Sequence, residues 1–160
     1  MTGSLTGRIV RGLLAPGLAL VLMTAPAAAV DMPKDKDAVL DYIRTAIESK
    51  DYEMLREMVF WKDTGKIKKR IVRFHLARSL GRPIKSISWE AFPENGFDAA
   101  IATGKLAPNM KMTNAVRVTF DEDPVPQTGK PPVAVFLVGK RKDEWRIGLV
   151  NRAGFDDDDD

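Results

Sequence analysis

The hydrophobic pattern near the C-terminal end of the chain predicts a β-hairpin. Residues 133–138 and 145–150 are two runs rich in β-branched and aromatic side chains, and a polar turn of residues 139–144 joins them. Trp145, Ile147 and Leu149 share one face of the second strand, because side chains alternate along a strand. The first run is apolar on both faces, which is typical of a strand buried from both sides. Such a hairpin needs further strands or helices to cover it.

Earlier in the chain, apolar residues recur at three- and four-residue spacing, which predicts three successive helices. The first begins at Asp35 or Asp37. The second follows Asp51, whose side chain is expected to cap its N-terminus. Thr64 is expected to cap the third, which runs to about Leu80, where Gly81 ends it.

The pattern changes after the third helix, and strands replace helices. Residues 84–91 and 115–120 alternate apolar and polar side chains and predict two strands, whereas residues 121–132 contain four prolines and predict a loop. Residues 98–103 fit a strand or a short helix equally well. Helices first and strands afterwards predict an α+β fold, with three N-terminal helices on an antiparallel sheet of about four strands.

The first thirty residues have the pattern of a secretory signal peptide. Arg8 and Arg11 precede a mostly apolar run of residues 13–23, and small residues at 27–29 predict cleavage after Ala29. An uncleaved amphipathic anchor is the alternative. The apolar run is short for a membrane span, so we expect a periplasmic or secreted protein that is not membrane-spanning after cleavage. With no cysteine in the sequence, the exported domain has no disulfide and depends on its core.

Charge divides the expected mature chain into a basic body and an acidic tail. The 160-residue sequence has 25 basic and 22 acidic side chains, and removal of Arg8 and Arg11 leaves 23 basic ones. Five acids form the terminal run Asp156–Asp160, so residues 30–155 carry six more basic than acidic side chains. We therefore expect a single domain over residues 30–155 and a disordered acidic tail over residues 156–160.

Three segments resemble the nuclear-transport-factor-two-like superfamily, which includes scytalone dehydratase and ketosteroid isomerase. They are the opening Ala38–Ile43 and Ser49–Leu55, and the final Trp145-Arg-Ile147 strand. The resemblance covers most of residues 36–150 and identifies the chain as a small exported bacterial member. It implies a strongly curved sheet that forms a cone with a pocket. The superfamily contains both enzymes and non-catalytic binding modules, so the fold alone does not select a function.

The sequence offers few groups for catalysis. It has one histidine and no cysteine, which excludes zinc sites of the usual spacing, and it has no phosphate-binding or dinucleotide-binding glycine motif. The enzymes that it resembles place an acid or a histidine inside the cone, whereas the strand positions expected to face inward here are apolar. His75 lies at the edge of the apolar arc of Ile67, Ile71 and Phe74, and is the candidate for an alternative function as a pocket lyase or isomerase. A hydrogen-bonded boundary histidine is the simpler interpretation.

The third helix is the most distinctive charged feature. Residues 62–85 contain nine basic side chains and one acid, Asp63. Four of the basic residues fall within roughly a 100° arc of the helix. They are Lys66, Lys69, Arg70 and Arg73.

This basic arc is expected to bind an anionic lipid, an envelope polymer or an envelope protein, although a solvated surface is the simpler interpretation. Nucleic acid is not expected, because no aromatic residues interleave with the arc. Trp61 and Trp89 are candidates to line a pocket or to belong to the core. The sequence thus favours an exported, non-catalytic binding or accessory domain of the cell envelope, with no cofactor and no metal site. Its ligand and its oligomeric state are left open.

Overall fold

The computed structural model describes residues 31–92 and 97–152. The expected signal peptide and the expected acidic tail lie outside these described residues. Helix α1 covers Lys36–Glu48 and helix α2 covers Tyr52–Met58. α2 begins at its predicted cap, since Asp51 Oδ1 accepts from the N–H of Met54 at 3.0 Å. α1 begins after Asp35, one of its two predicted starts, whose Oδ1 accepts from the N–H of Ala38 at 2.7 Å.

Helix α3 covers Lys66–Ser79 and helix α4 covers Phe97–Ala102. α3 begins after Gly65, which provides no side-chain cap, and not directly after Thr64 as the sequence suggested. The chain leaves α3 through Gly81 at φ 69°, a conformation that glycine adopts without strain, as predicted. For residues 98–103 the sequence fits a strand and a short helix equally well, and the structure has the helix α4 there.

The main sheet has four antiparallel strands in the order β1-β3-β4-β5. β1 covers Ile84–Ala91, β3 covers Asn114–Phe120, β4 covers Val133–Arg141 and β5 covers Glu144–Ile147. Two short strands, β2 at Leu106–Pro108 and β6 at Val150–Arg152, form a separate antiparallel pair. The α+β class and the antiparallel sheet are therefore as predicted.

The β4–β5 hairpin exists, but its turn is tighter and its first strand is less buried than the sequence indicated. Only Lys142 and Asp143 lie between the strands, and Lys142 has φ 55°. Val133 and Val135 are 46% and 45% exposed, so the expectation that residues 133–138 are buried from both sides is wrong. Ala134, Phe136 and Val138 face the core, while the opposite face of this part of β4 is uncovered.

The core lies between the helices α1 and α2 and one face of the sheet. Its fully buried members include Ile43 and Leu55 from the helices and Val116, Val118 and Phe120 from β3. Trp145, Ile147 and Leu149 are buried on one side of the chain, as their alternation predicted. α3 contributes mainly Leu76 to this core.

Candidate functional site

A groove of about 540 Å³ lies between α3 and β4. It arises where β5 and β4 separate: the N–H of Gly148 donates to the carbonyl of Leu137 at 2.9 Å, and the chain then turns away to join β2. The N–H of Leu149 donates instead to Asn109 Oδ1 at 2.8 Å. Residues 133–136 of β4 therefore have no neighbouring strand on the side of the groove.

The backbone of this open edge of β4 (residues 133–136) can be assigned from two hydrogen bonds. The N–H of Phe120 donates to the carbonyl of Pro132 at 3.0 Å, so the backbone groups of Pro132 point toward β3. The backbone carbonyl of Leu137 points the other way, toward the N–H of Gly148. Because backbone groups alternate in direction along a strand, the N–H and C=O groups of Val133 and Val135 point into the groove. No strand described in the structure pairs with them.

The floor of the groove is apolar and its charged lining is basic. Val72 and Leu76 of α3, Phe136 of β4, and Ile147 and Leu149 supply the apolar surface. The ionisable lining residues are Lys68, His75, Arg78 and Arg82, and no carboxylate is among the lining residues that the structure describes.

Among the described residues, Arg82 is the one basic side chain of this lining that forms an ion pair. Arg82 forms a two-bond ion pair with Glu122, at 2.6 and 2.7 Å, and its guanidinium lies 3.8 Å from the centre of the Phe120 ring. The hydrogen bonds from Arg82 lower the pKa of the Glu122 carboxyl. Lys68 and Arg78 form no ion pair with any residue in 31–92 or 97–152. The groove therefore has a net positive rim.

His75 lines the groove, although its side chain is largely exposed. Its ring packs edge-to-face against Phe74, with the ring centres 5.9 Å apart. The hydroxyl of Ser79 donates to the carbonyl of His75 at 3.1 Å, so this hydroxyl is occupied by the helix backbone. Neither of these contacts supplies the His75 ring with a hydrogen-bond partner.

The apolar arc that the sequence assigned to α3 is not the arc that packs on the protein. Ile67, Ile71 and Phe74 are 53%, 46% and 58% exposed. Leu76 and Ser79 are buried instead, and these residues lie on another side of the helix. α3 has two apolar arcs, and the arc that includes Leu76 is the one that packs against the interior of the protein.

None of the six residues predicted to bind a ligand lines the groove. Lys66, Arg70 and Arg73 are exposed, and Lys69 is half-buried. No ion pair in the described part of the chain involves any basic side chain of α3. The basic arc is therefore an uncompensated surface, adjacent to the exposed apolar arc and separate from the groove.

The two tryptophans predicted as pocket residues pack beside the core. The indole N–H of Trp61 donates to the carbonyl of Arg56 at 2.8 Å, and the guanidinium of Arg73 lies 5.8 Å from the Trp61 ring. Trp89 lies 5.1 Å from the Trp145 ring, and its indole N–H donates to the carbonyl of Lys36 at 3.2 Å. Both are half-buried and neither faces the groove.

Sequence reasoning missed the open edge and the groove. The sequence shows Lys68 and Arg78 only as members of a basic helix, and it predicts that the valines of β4 are buried in the core. The separation of β4 from the chain after Gly148 depends on the pairing of β2 with β6, and nothing in the alternation of residues 145–150 indicates it. The doublet Pro131-Pro132, which ends the loop before an exposed strand, was the one local signal of an edge.

In residues 31–92 and 97–152, no three His, Cys, Asp or Glu side chains group in a way that could hold a metal ion. No helix in that part of the chain has the length and apolar character needed to cross a membrane.

The chain matches no family model, and neither curated proteins nor solved structures provide a match.

Proposed function

We propose that the chain is an exported, non-catalytic binding or accessory domain of the bacterial cell envelope, and that its ligand lies in the groove between α3 and the open edge of β4. The single observation that carries this proposal is the groove itself, with its apolar floor and its positive rim. A volume of about 540 Å³ lies within the usual range of ligand sites. A ligand that combines apolar and anionic groups would match both parts of the lining.

The finer features of the proposed fold belong to the same proposal. Membership of the nuclear-transport-factor-two-like superfamily and curvature of the sheet into a cone over three packed helices are supported by the order of elements, with α1 to α3 before an antiparallel sheet. Export is supported by the sequence pattern of residues 1–29. Export would place the groove on a protein of the periplasm or the exterior.

The proposal predicts that a negative charge on the groove wall weakens binding of an apolar anion. The probe is 1-anilinonaphthalene-8-sulfonate, whose fluorescence rises in apolar sites. Val135→Glu should weaken its affinity at least about tenfold, because the carboxylate repels the sulfonate beside the open edge. Val135 is already exposed, so we expect the variant to fold.

The matched control is Ser88→Glu, which adds the same charge to an exposed position of β1, away from the groove. It should leave the affinity unchanged. Equal affinities for the wild type and both variants would show that the probe does not use the groove, and the proposal would lose its site.

A second candidate function is binding of the basic arc to an anionic surface, and it is favoured by the absence of ion pairs from α3 in the described residues. Each basic residue near an anionic membrane contributes about 1 kcal/mol. Reversal of the charges at Lys66, Lys69, Arg70 and Arg73 should abolish salt-sensitive cosedimentation with anionic vesicles and leave the far-UV circular dichroism spectrum unchanged. Equal sedimentation with neutral vesicles would argue against this function.

The enzymatic alternative, a pocket lyase or isomerase that uses His75, has one supporting observation, the position of His75 at the groove. General acid–base catalysis by this residue would require the substrate to supply the partner group. The non-catalytic proposal does not have that requirement, so we prefer it.

A further inference from the structure

We propose that the groove binds an extended, acidic segment of another protein, which adds to the open edge of β4 as a further strand. This inference rests on the proposed function, since it names the partner of the same groove. It depends on two independent features, the unpaired backbone of β4 and the positive rim of the groove.

The backbone of β4 provides the first feature. Val133 and Val135 together direct two N–H and two C=O groups into the groove, at the two-residue spacing of a β ladder. An added strand recognises such groups through its main chain, and side-chain pockets then supply specificity. In the part of the chain that the structure describes, neither a charged side chain nor a covering strand blocks the edge at these two valines, which are nearly half exposed.

The side chains of the groove define the chemistry of the partner. Successive side chains of an added strand would point to opposite faces, so apolar residues could face Leu76 and Leu149 while alternate residues remain near the rim. Lys68 and Arg78 lack acidic partners in the described chain, and Asp or Glu side chains on the added strand would provide them. A basic segment would be repelled.

Other occupants fit these features less well. A lipid surface has no N–H and C=O ladder to pair with Val133 and Val135. A second copy would bring a second α3 close to the first, and α3 has six basic and no acidic residues. An acidic peptide segment satisfies both the backbone and the charge.

The experiment measures amide hydrogen exchange of the full chain with and without a capped ten-residue peptide of alternating Val and Glu. In the free protein, the amides of Val133 and Val135 should exchange rapidly, whereas those of Ala134 and Phe136, which pair with β3, should be protected. Addition of the peptide should protect Val133 and Val135 and leave their neighbours unchanged. Ala134 and Phe136 therefore serve as internal controls.

Two matched peptides test the two features separately. Backbone N-methylation at alternate residues removes the edge hydrogen bonds and should weaken binding at least about tenfold. Replacement of every Glu by Lys should abolish detectable binding. Equal binding of the N-methylated peptide would overturn strand addition, and equal binding of the Lys peptide would overturn the acidic partner.

Variants of the protein provide the complementary test. Lys68→Gln combined with Arg78→Gln should weaken binding of the Val–Glu peptide at least about tenfold. Lys85→Gln combined with Lys105→Gln removes the same charge from exposed positions outside the groove, and should not change the affinity. Equal losses in the two double variants would show that only overall charge matters, which would overturn the inference.

The remaining outcomes separate this inference from the proposed function. If the aromatic sulfonate binds in the groove but the peptide does not, the inference fails and the proposed function stands. If Val133 and Val135 are protected in the free protein and become exposed on deletion of residues 153–160, the acidic tail is the occupant and the inference fails. Protection that increases with protein concentration would identify a second copy and would also overturn it.

Discussion

At the scale of single residues, Tyr42 shows how burial and one hydrogen bond determine a titration. Its hydroxyl donates to the carbonyl of Met54 at 3.1 Å and thereby links α1 to α2. Burial raises the pKa of Tyr42 from 10.0 to about 12, and the nearby Glu57 carboxylate contributes in the same direction. The folded protein therefore holds the neutral phenol more strongly than the unfolded chain does.

This shift predicts how the free energy of unfolding changes in alkaline solution. Because the folded pKa is raised, its stabilising contribution is complete below pH 10 and is lost as the pH rises from 10 to about 12. Tyr42→Phe should remove that part of the pH dependence, and should cost about 0.5–1.5 kcal/mol at neutral pH through loss of the hydrogen bond. Urea denaturation at neutral pH and at about pH 11 measures both. Parallel pH profiles for the two proteins would contradict the assignment. Tyr52→Phe, at a half-buried residue of α2, is the control.

At the scale of elements, α3 has charges placed against its own helix dipole. The N-terminal end of a helix favours negative charge, yet the first turn of α3 contains no acidic residue and begins with Lys66. Gly65 adds no side-chain cap. Lys66, Lys69, Arg70 and Arg73 are also spaced at three, four and seven residues, so like charges are neighbours on the helix surface.

The helix dipole predicts that Lys66→Glu raises the free energy of unfolding by about 0.3–1 kcal/mol. The substitution adds a favourable charge at the N-terminus and removes an unfavourable one. Lys85→Glu makes the same change of charge at an exposed position in β1 and should not produce this gain. Urea denaturation of the three proteins measures the difference. A gain as large for Lys85→Glu would show that relief of overall charge, and not the dipole, is responsible.

The helices show how far the sequence could predict the structure. Asp51 identified the start of α2 because capping is a local interaction between a side chain and the next turn, whereas Asp35 and Asp37 were equally good starts for α1. The choice between two apolar arcs on α3 was not local. It depends on which arc meets α2 and the sheet, and the spacing of Ile67, Ile71 and Phe74 is as helical as that of Val72 and Leu76.

At the scale of the whole molecule, the chain between β2 and β3 crosses the hairpin close to two glycines, Gly139 and Gly148. A Cβ on Gly139 would lie well inside van der Waals contact of the Lys111 carbonyl, whereas one on Gly148 would meet the side chain of Met112 at 2.6 Å. The first obstacle is backbone and the second is a flexible side chain. Such a crossing joins segments far apart in sequence, so residue patterns along the chain could not predict it.

These contacts predict that Gly139→Ala lowers the free energy of unfolding by about 1–3 kcal/mol, and that Gly148→Ala costs less. The methionine side chain can change rotamer, but the Lys111 carbonyl can move only with its backbone. Thermal or urea denaturation of both variants measures the difference. A larger loss for Gly148→Ala than for Gly139→Ala would contradict this account.

The basic side chains of α3 form no ion pair in the described part of the chain, so dissolved salt should have two opposite effects on this protein. Mobile ions screen the repulsion along the helix, so the isolated domain should become more stable as ionic strength rises. The same ions compete for any negatively charged partner, so complexes made through these cations should weaken over the same range. Conditions that favour the domain alone are therefore the conditions under which it binds least, and a search for its partner is best made in dilute buffer.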